Sequence, residues 1–90
     1  MLERRLTVIN ALGLHARAAA HLVRLAGRFR CQITLKRLDN GVEANAKSIL
    51  SVLYIAAGCG VELQITAHGE DETEAIEAIE KLFLDGFGEV

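Results

Sequence analysis

The spacing of apolar positions along this chain switches repeatedly between a period of two and a period of three to four, and each switch marks an element. Residues 3 to 9, ERRLTVI, alternate, with Leu6 and Val8 on one side and Arg5, Thr7 and Ile9 on the other, which predicts a strand. Asn10 to Gly13 break it. From Ala16 the apolar positions Ala19, Leu22, Val23 and Ala26 follow helical spacing, and Arg17, His21, Arg24 and Arg28 form the opposite stripe, so a solvent-facing basic helix is expected, with Gly27 near its exit. CQITLKR at 31 to 37 puts Ile33 and Leu35 on one face of a second strand. Asn40-Gly41 then signals a hairpin into a short third strand at Val42 to Ala44. KSILSVLYIAAG at 47 to 58 is apolar nearly all round, and the spacing of Ile49, Leu50 and Leu53 predicts a helix with more hydrophobic surface than one packing face requires. VELQITA at 61 to 67 alternates strictly, with Val61, Leu63, Ile65 and Ala67 inward and Glu62, Gln64 and Thr66 outward. Finally Asp71-x-x-Glu74, a capping-box variant, opens an amphipathic helix that points Ile76, Ile79, Leu82 and Phe83 inward and Glu72, Glu74, Glu77 and Glu80 outward, with Gly86 at its end.

The resulting order is β-α-β-β-α-β-α, with no repeat, linker or low-complexity segment. Strands that alternate apolar with polar need one buried and one wet face, so the pattern implies an α+β two-layer sandwich with an antiparallel sheet. Ninety residues suffice for one core, and residues 1 to 90 are read as a single domain. The 51% hydrophobic content argues against disorder. No apolar run approaches the roughly 20 residues of a membrane helix, and the N-terminal stretch lacks the apolar middle of a signal peptide, so a cytoplasmic protein is expected. Cys31 and Cys59 lie far apart with no histidine at ligand spacing. Both are read as small semi-buried thiols, and neither a zinc site nor a redox pair is signalled. Up to Lys47 the chain holds nine Lys and Arg against three Asp and Glu; after it the balance is one to nine. Basic groups gathered on one face would attract an acidic partner or a phosphate.

LGLHARAAAHLVRLAG, residues 12 to 27, places an imidazole at the mouth of a helix. The unpaired amides of the first turn, Ala16, Arg17 and Ala18, carry partial positive charge there, so a neutral ring is expected for His15, and a neutral ring is a nucleophile. The same amides would hold an anion formed on that ring, and Arg17 would add a charge-assisted contact to phosphoryl oxygens. Neutral before reaction and anionic afterwards is the charge change of transient histidine phosphorylation. A histidine beside a helix start is also commonly a surface residue or a modest cap.

GLHARAAA at 13 to 20 resembles the active-site signature of HPr, the histidine phosphocarrier family of the bacterial phosphoenolpyruvate-dependent phosphotransferase system. NAKSILSVL at 45 to 53 resembles its regulatory serine segment, and the likeness spans nearly the whole chain. The resemblance implies the HPr open-faced β-sandwich, a four-stranded antiparallel sheet covered on one face by three helices. It also implies that His15 takes a phosphoryl group at Nδ1 from enzyme I and passes it to an enzyme IIA protein while Arg17 steadies the group. Ser48 matches the serine that an HPr kinase/phosphorylase modifies. Ala20, Arg24, Lys47, Ile49, Leu50 and Leu53 match positions that dock partners, although Ile49 and Leu53 equally suit a core. No cofactor or metal is implied, and a monomer is expected. One departure is Ala18, where the family usually has proline; alanine brings one more N–H at the cost of a looser turn. The ending LFLDGFGE is more similar to proteobacterial and nitrogen-related members.

Three rival classes are weighed against this. A regulatory adaptor would act through phosphorylated Ser48 with His15 idle. Nucleic-acid binding would need stacking aromatics on the strands, but Phe29, Tyr54, Phe83 and Phe87 avoid the strand centres. A hydrolase or metalloenzyme lacks paired carboxylates, a nucleophile with its base, or a ligand cluster.

Overall fold

The computed structural model describes residues 1–89. In chain order the elements are β1 (Leu2–Thr7), α1 (Ala16–Ala26), β2 (Gln32–Arg37), β3 (Glu43–Asn45), α2 (Ile49–Tyr54), β4 (Glu62–His68) and α3 (Glu72–Leu84), followed by one tight turn at Gly86–Gly88. The expected order of elements is therefore present. The strands form one antiparallel sheet in the order β1-β4-β2-β3. β4 sits between β1 and β2, pairing Leu6 with Leu63 and Leu35 with Ile65, so the inward residues of three strands lie side by side. Leu6, Ile33, Leu35, Leu63, Ile65 and Ala67 are all buried, and α1 and α3 cover them with Ala19, Leu22, Ala26, Ile76, Ile79 and Phe83. Each fully covered Leu, Ile or Phe contributes about 1.5–3 kcal/mol of transfer free energy, which makes this face the source of the fold's stability. The opposite face, with Glu3, Thr34, Lys36, Glu43, Gln64 and Thr66, stays open.

Several boundaries differ from the periodic reading, each for a local physical reason. β1 ends at Thr7, although Val8 remains buried and still exchanges backbone bonds with Val61 and Gly60. β3 is shifted one residue along from Val42–Ala44, because the connection from β2 closes with Arg37 N–H on the Val42 carbonyl and the Asn40 side chain on the Val42 N–H. Val61, expected inward, precedes β4 and is only half-buried. The second helix is not a 47–58 element but six residues long. Ser48 caps its start, and Ala56, at φ +52°, turns the chain out of the helix. Arg37 donates to the carbonyls of Ile55 and Ala56 at 3.1 Å each and so satisfies the groups that the short helix leaves bare. The expected capping box at Asp71 does not form. The Asp71 carboxylate accepts instead from the N–H groups of Arg30 and Cys31, at 2.8 and 2.9 Å, and ties the start of β2 to the start of α3. Glu72 takes the reciprocal role by accepting from Gly69 N–H at 3.0 Å. Of the two thiols, Cys31 is buried, but Cys59 is exposed rather than semi-buried.

Candidate functional site

The loop from Asn10 to Leu14 delivers His15 to the mouth of α1. Gly13 has φ +66°, and a Cβ there would stand 2.6 Å from the Ala57 carbonyl oxygen, so only glycine lets the loop lie against the segment that follows α2. Leu14 N–H seals the contact by donating to the same carbonyl at 2.9 Å. His15 is the N-cap residue of α1, extended at φ −71° and ψ 179°. The helical ladder begins with Ala19 N–H donating to the His15 carbonyl at 2.8 Å. The N–H groups of Ala16, Arg17 and Ala18 therefore have no acceptor among the described residues. The expected cradle of free amides is present, and the imidazole does not consume it, since the His15 side chain makes no cap bond.

The ring instead meets a group that the sequence did not point to. His15 Nε2 lies 2.6 Å from Glu89 Oε2, within hydrogen-bond distance, and the Asn10 amide donates to Glu89 Oε1 at 2.9 Å and to the Gly13 carbonyl at 2.8 Å. Asn10 is fully buried. The Glu89 carboxyl is held below the usual carboxylate range, chiefly by the Asn10 amide and then by its bond to His15. Glu89 reaches this position because Phe87, at φ +57° and packed edge-on against Phe83 at 4.9 Å between centroids, folds the chain back after α3. His15, Ala16, Arg17 and Glu89, with Ala11, Leu12 and Gly88, line an open cleft of about 750 Å³.

Arg17 is exposed at the lip of this cleft, and Arg24 is exposed in the last turn of α1. Ala20 is half-buried on the flank of the helix. Leu50 is 76% exposed, and Ile49 and Leu53 are 38% and 37% exposed, so these three are not core residues; α2 sends only Val52 inward. Leu12 and Tyr54, at 71% and 80% exposed, add to the accessible apolar surface and were not singled out in the sequence as docking residues; Leu12 directly precedes the first motif and Tyr54 directly follows the second. Exposed apolar groups near a basic rim suit brief contact with an acidic partner. Lys47 is less free than a docking residue would be, because its ammonium donates to the Phe29 carbonyl at 2.6 Å. Ser48 is half-buried, and its Oγ accepts from Ser51 N–H at 3.3 Å.

The fold and the site together describe an open-faced sandwich that offers a histidine and a vacant row of amides beside an accessible apolar patch. The family model described as "PTS HPr component phosphorylation site" matches residues 2–85. The phosphocarrier protein HPr of Cupriavidus necator is 47% identical over 89 residues, which cover 99% of this chain and 98% of that protein. The phosphocarrier protein NPr of Proteus mirabilis is 43% identical over 86 residues, covering 96% of this chain and 94% of the relative. Among solved structures, HPr-C-His from Thermoanaerobacter tengcongensis superposes with a TM-score of 0.93 at 37% identity, over 100% of this chain and 99% of that one. The chain belongs to the PTS HPr family of phosphocarrier proteins.

Proposed function

We propose that this protein carries a phosphoryl group on Nδ1 of His15, received from enzyme I and delivered to an enzyme IIA protein. The observation that carries the reading is the row of unclaimed amides on Ala16, Arg17 and Ala18 beside the ring, with Arg17 exposed at the same lip. A helix N-terminus of this kind holds an anion through its N–H groups and its dipole. In loading, the Nδ1 lone pair bonds to phosphorus while the bond to the donor breaks and leaves its electrons on the donor. Arg17 then pairs with the phosphoryl oxygens. In this reading Leu12, Ala20, Arg24, Ile49, Leu50, Leu53 and Tyr54 meet the partners, and the whole chain acts as one domain, a cytoplasmic monomer whose patch stays free for them.

Ser48 is the second modification point in the proposal, through an HPr kinase/phosphorylase. A phosphate there would place roughly −1.5 to −2 charge beside Ile49 and Leu50 and repel an acidic partner. Ser48 caps α2 by accepting from Ser51 N–H, and a phosphate on its Oγ adds further acceptor oxygens at the same helix start, so modification does not require the helix to open.

Enzyme I and labelled phosphoenolpyruvate test the proposal when the parent chain is compared with His15→Ala and Ser48→Ala. The label should be lost only with the first change, and it should be acid-labile and base-stable. Label that survives His15→Ala, or a parent chain that takes none, would overturn the carrier reading.

A further inference from the structure

We propose that Glu89 is a positioning residue: held by Asn10, its carboxylate keeps the imidazole proton of His15 on Nε2 and so leaves Nδ1 as the nitrogen with the free lone pair. This rests on the phosphocarrier reading above and specifies how this chain presents one ring nitrogen to the incoming group.

Both oxygens of the Glu89 carboxylate are engaged. Oε1 is taken by Asn10 Nδ2 at 2.9 Å and Oε2 faces His15 Nε2 at 2.6 Å. An ionised carboxylate only accepts, so the short contact requires a proton on Nε2; a lone pair there would face a negative charge. Which nitrogen of a histidine is protonated is set by the bond that the other partner makes. The orientation of the carboxylate is itself fixed. The second proton of the buried Asn10 amide goes to the Gly13 carbonyl at 2.8 Å, on the loop that carries His15, so the loop positions both the ring and the group that selects its tautomer. From the other side, the Phe87–Phe83 contact and the bond from Glu89 N–H to the Gly86 carbonyl at 2.9 Å hold the backbone of Glu89.

The consequence is a transfer cycle in which no proton moves. On loading, the Nδ1 lone pair forms the N–P bond, the donor keeps the electron pair of the bond it loses, and the ring becomes cationic with Glu89 as its counter-ion. On unloading, the N–P electrons return to Nδ1 and the ring is again neutral with its proton on Nε2. A cationic ring is the better leaving group, so the same carboxylate serves both directions.

The test uses the full chain labelled with ¹⁵N histidine, read by ¹⁵N chemical shifts through a pH series carried upward until the shifts stop changing, together with its rate of loading by enzyme I. In the parent, His15 should show a protonated Nε2 and an unprotonated Nδ1. In Glu89→Gln the Asn10 amide claims the single side-chain oxygen and turns the Gln NH₂ toward Nε2. The proton should then shift to Nδ1, and loading should fall roughly ten- to a hundredfold, by analogy with the loss when the outer partner of a metal-ligating histidine is removed. The melting temperature at neutral pH should fall somewhat, as it must when a carboxylate held below its usual range is removed, and Glu89→Asp should recover part of both the tautomer and the rate. An unchanged tautomer in Glu89→Gln overturns the inference whatever the rate does. So does an unchanged rate beside a shifted tautomer. If the parent chain takes no phosphoryl group, the carrier reading fails, whereas the ring shifts still decide the role of Glu89 because they need no transfer.

Discussion

Gly13 lies so close to Ala57 that a Cβ on the glycine would stand 2.6 Å from the Ala57 carbonyl oxygen and 2.8 Å from the Gly58 Cα. Both neighbours are backbone, so neither can swing aside. Gly13→Ala meets this clash together with the strain of a positive φ. It should cost roughly 2–3 kcal/mol, measured by urea unfolding, and should disturb His15 through the displaced Leu14–Ala57 bond. A variant as stable as the parent would mean that the loop relaxes in a way the close approach does not allow.

Arg17 touches nothing that the fold requires, since its side chain is exposed. Arg17→Ala should therefore leave the unfolding free energy within about 0.5 kcal/mol of the parent. A lost charge-assisted contact is worth about 1.5–3 kcal/mol, so loading should slow about ten- to a hundredfold. Arg17→Lys should recover part of the loss, because an ammonium restores the charge without the planar fork. Stopped-flow loading with excess enzyme I separates the three.

What could be read from the sequence was local, and what could not be read was brought from far along the chain. Leu6, Leu63, Ile65 and Ala67 were legible as inward residues because a strand's pleat alone decides which side a residue takes. His15, Arg17 and the amides between them were legible for the same reason, as they sit within one turn. The end of α2 was not, because the guanidinium that satisfies its last carbonyls comes from Arg37, 18 residues before Ile55. Asp71 has the spacing of a helix cap, but its carboxylate is claimed by Arg30 and Cys31, which arrive from the other end of α1. Glu89 is the clearest case: 74 residues separate it from His15, and nothing in the local pattern of the ending LFLDGFGE signals that its carboxylate closes on the ring.

Leu50, 76% exposed on the outer side of α2, separates docking from folding. Leu50→Glu removes an apolar contact and adds a charge that repels an acidic partner, while leaving the core untouched. Stability should stay within about 0.5 kcal/mol, and the apparent KM of enzyme I for this chain should rise about tenfold or more, with kcat changed less. A change in kcat with no change in KM would place Leu50 outside the docking surface.

Asp71 makes the stability of the fold depend on pH in a direction that can be worked out. Its carboxyl is held below the usual range, first by the Arg30 N–H and also by the Cys31 N–H, with partial burial opposing them. A carboxylate whose folded pKa lies below its unfolded value of about 3.9 stabilises the fold above that value, and the stabilisation disappears as pH falls through the folded pKa. Asp71→Asn has one oxygen for two N–H donors and nothing to ionise. At neutral pH the variant should melt below the parent, and on acidification the parent's melting temperature should fall toward the variant's until the gap closes. The depressed carboxyls of Glu72 and Glu89 remain in both proteins, so each keeps an acid slope, and only the difference between the two curves reports on Asp71. Melting curves by circular dichroism from neutral pH down to strong acid provide that difference. A gap that stays constant across the range would mean that the two N–H bonds at Asp71 do not favour its ionised form.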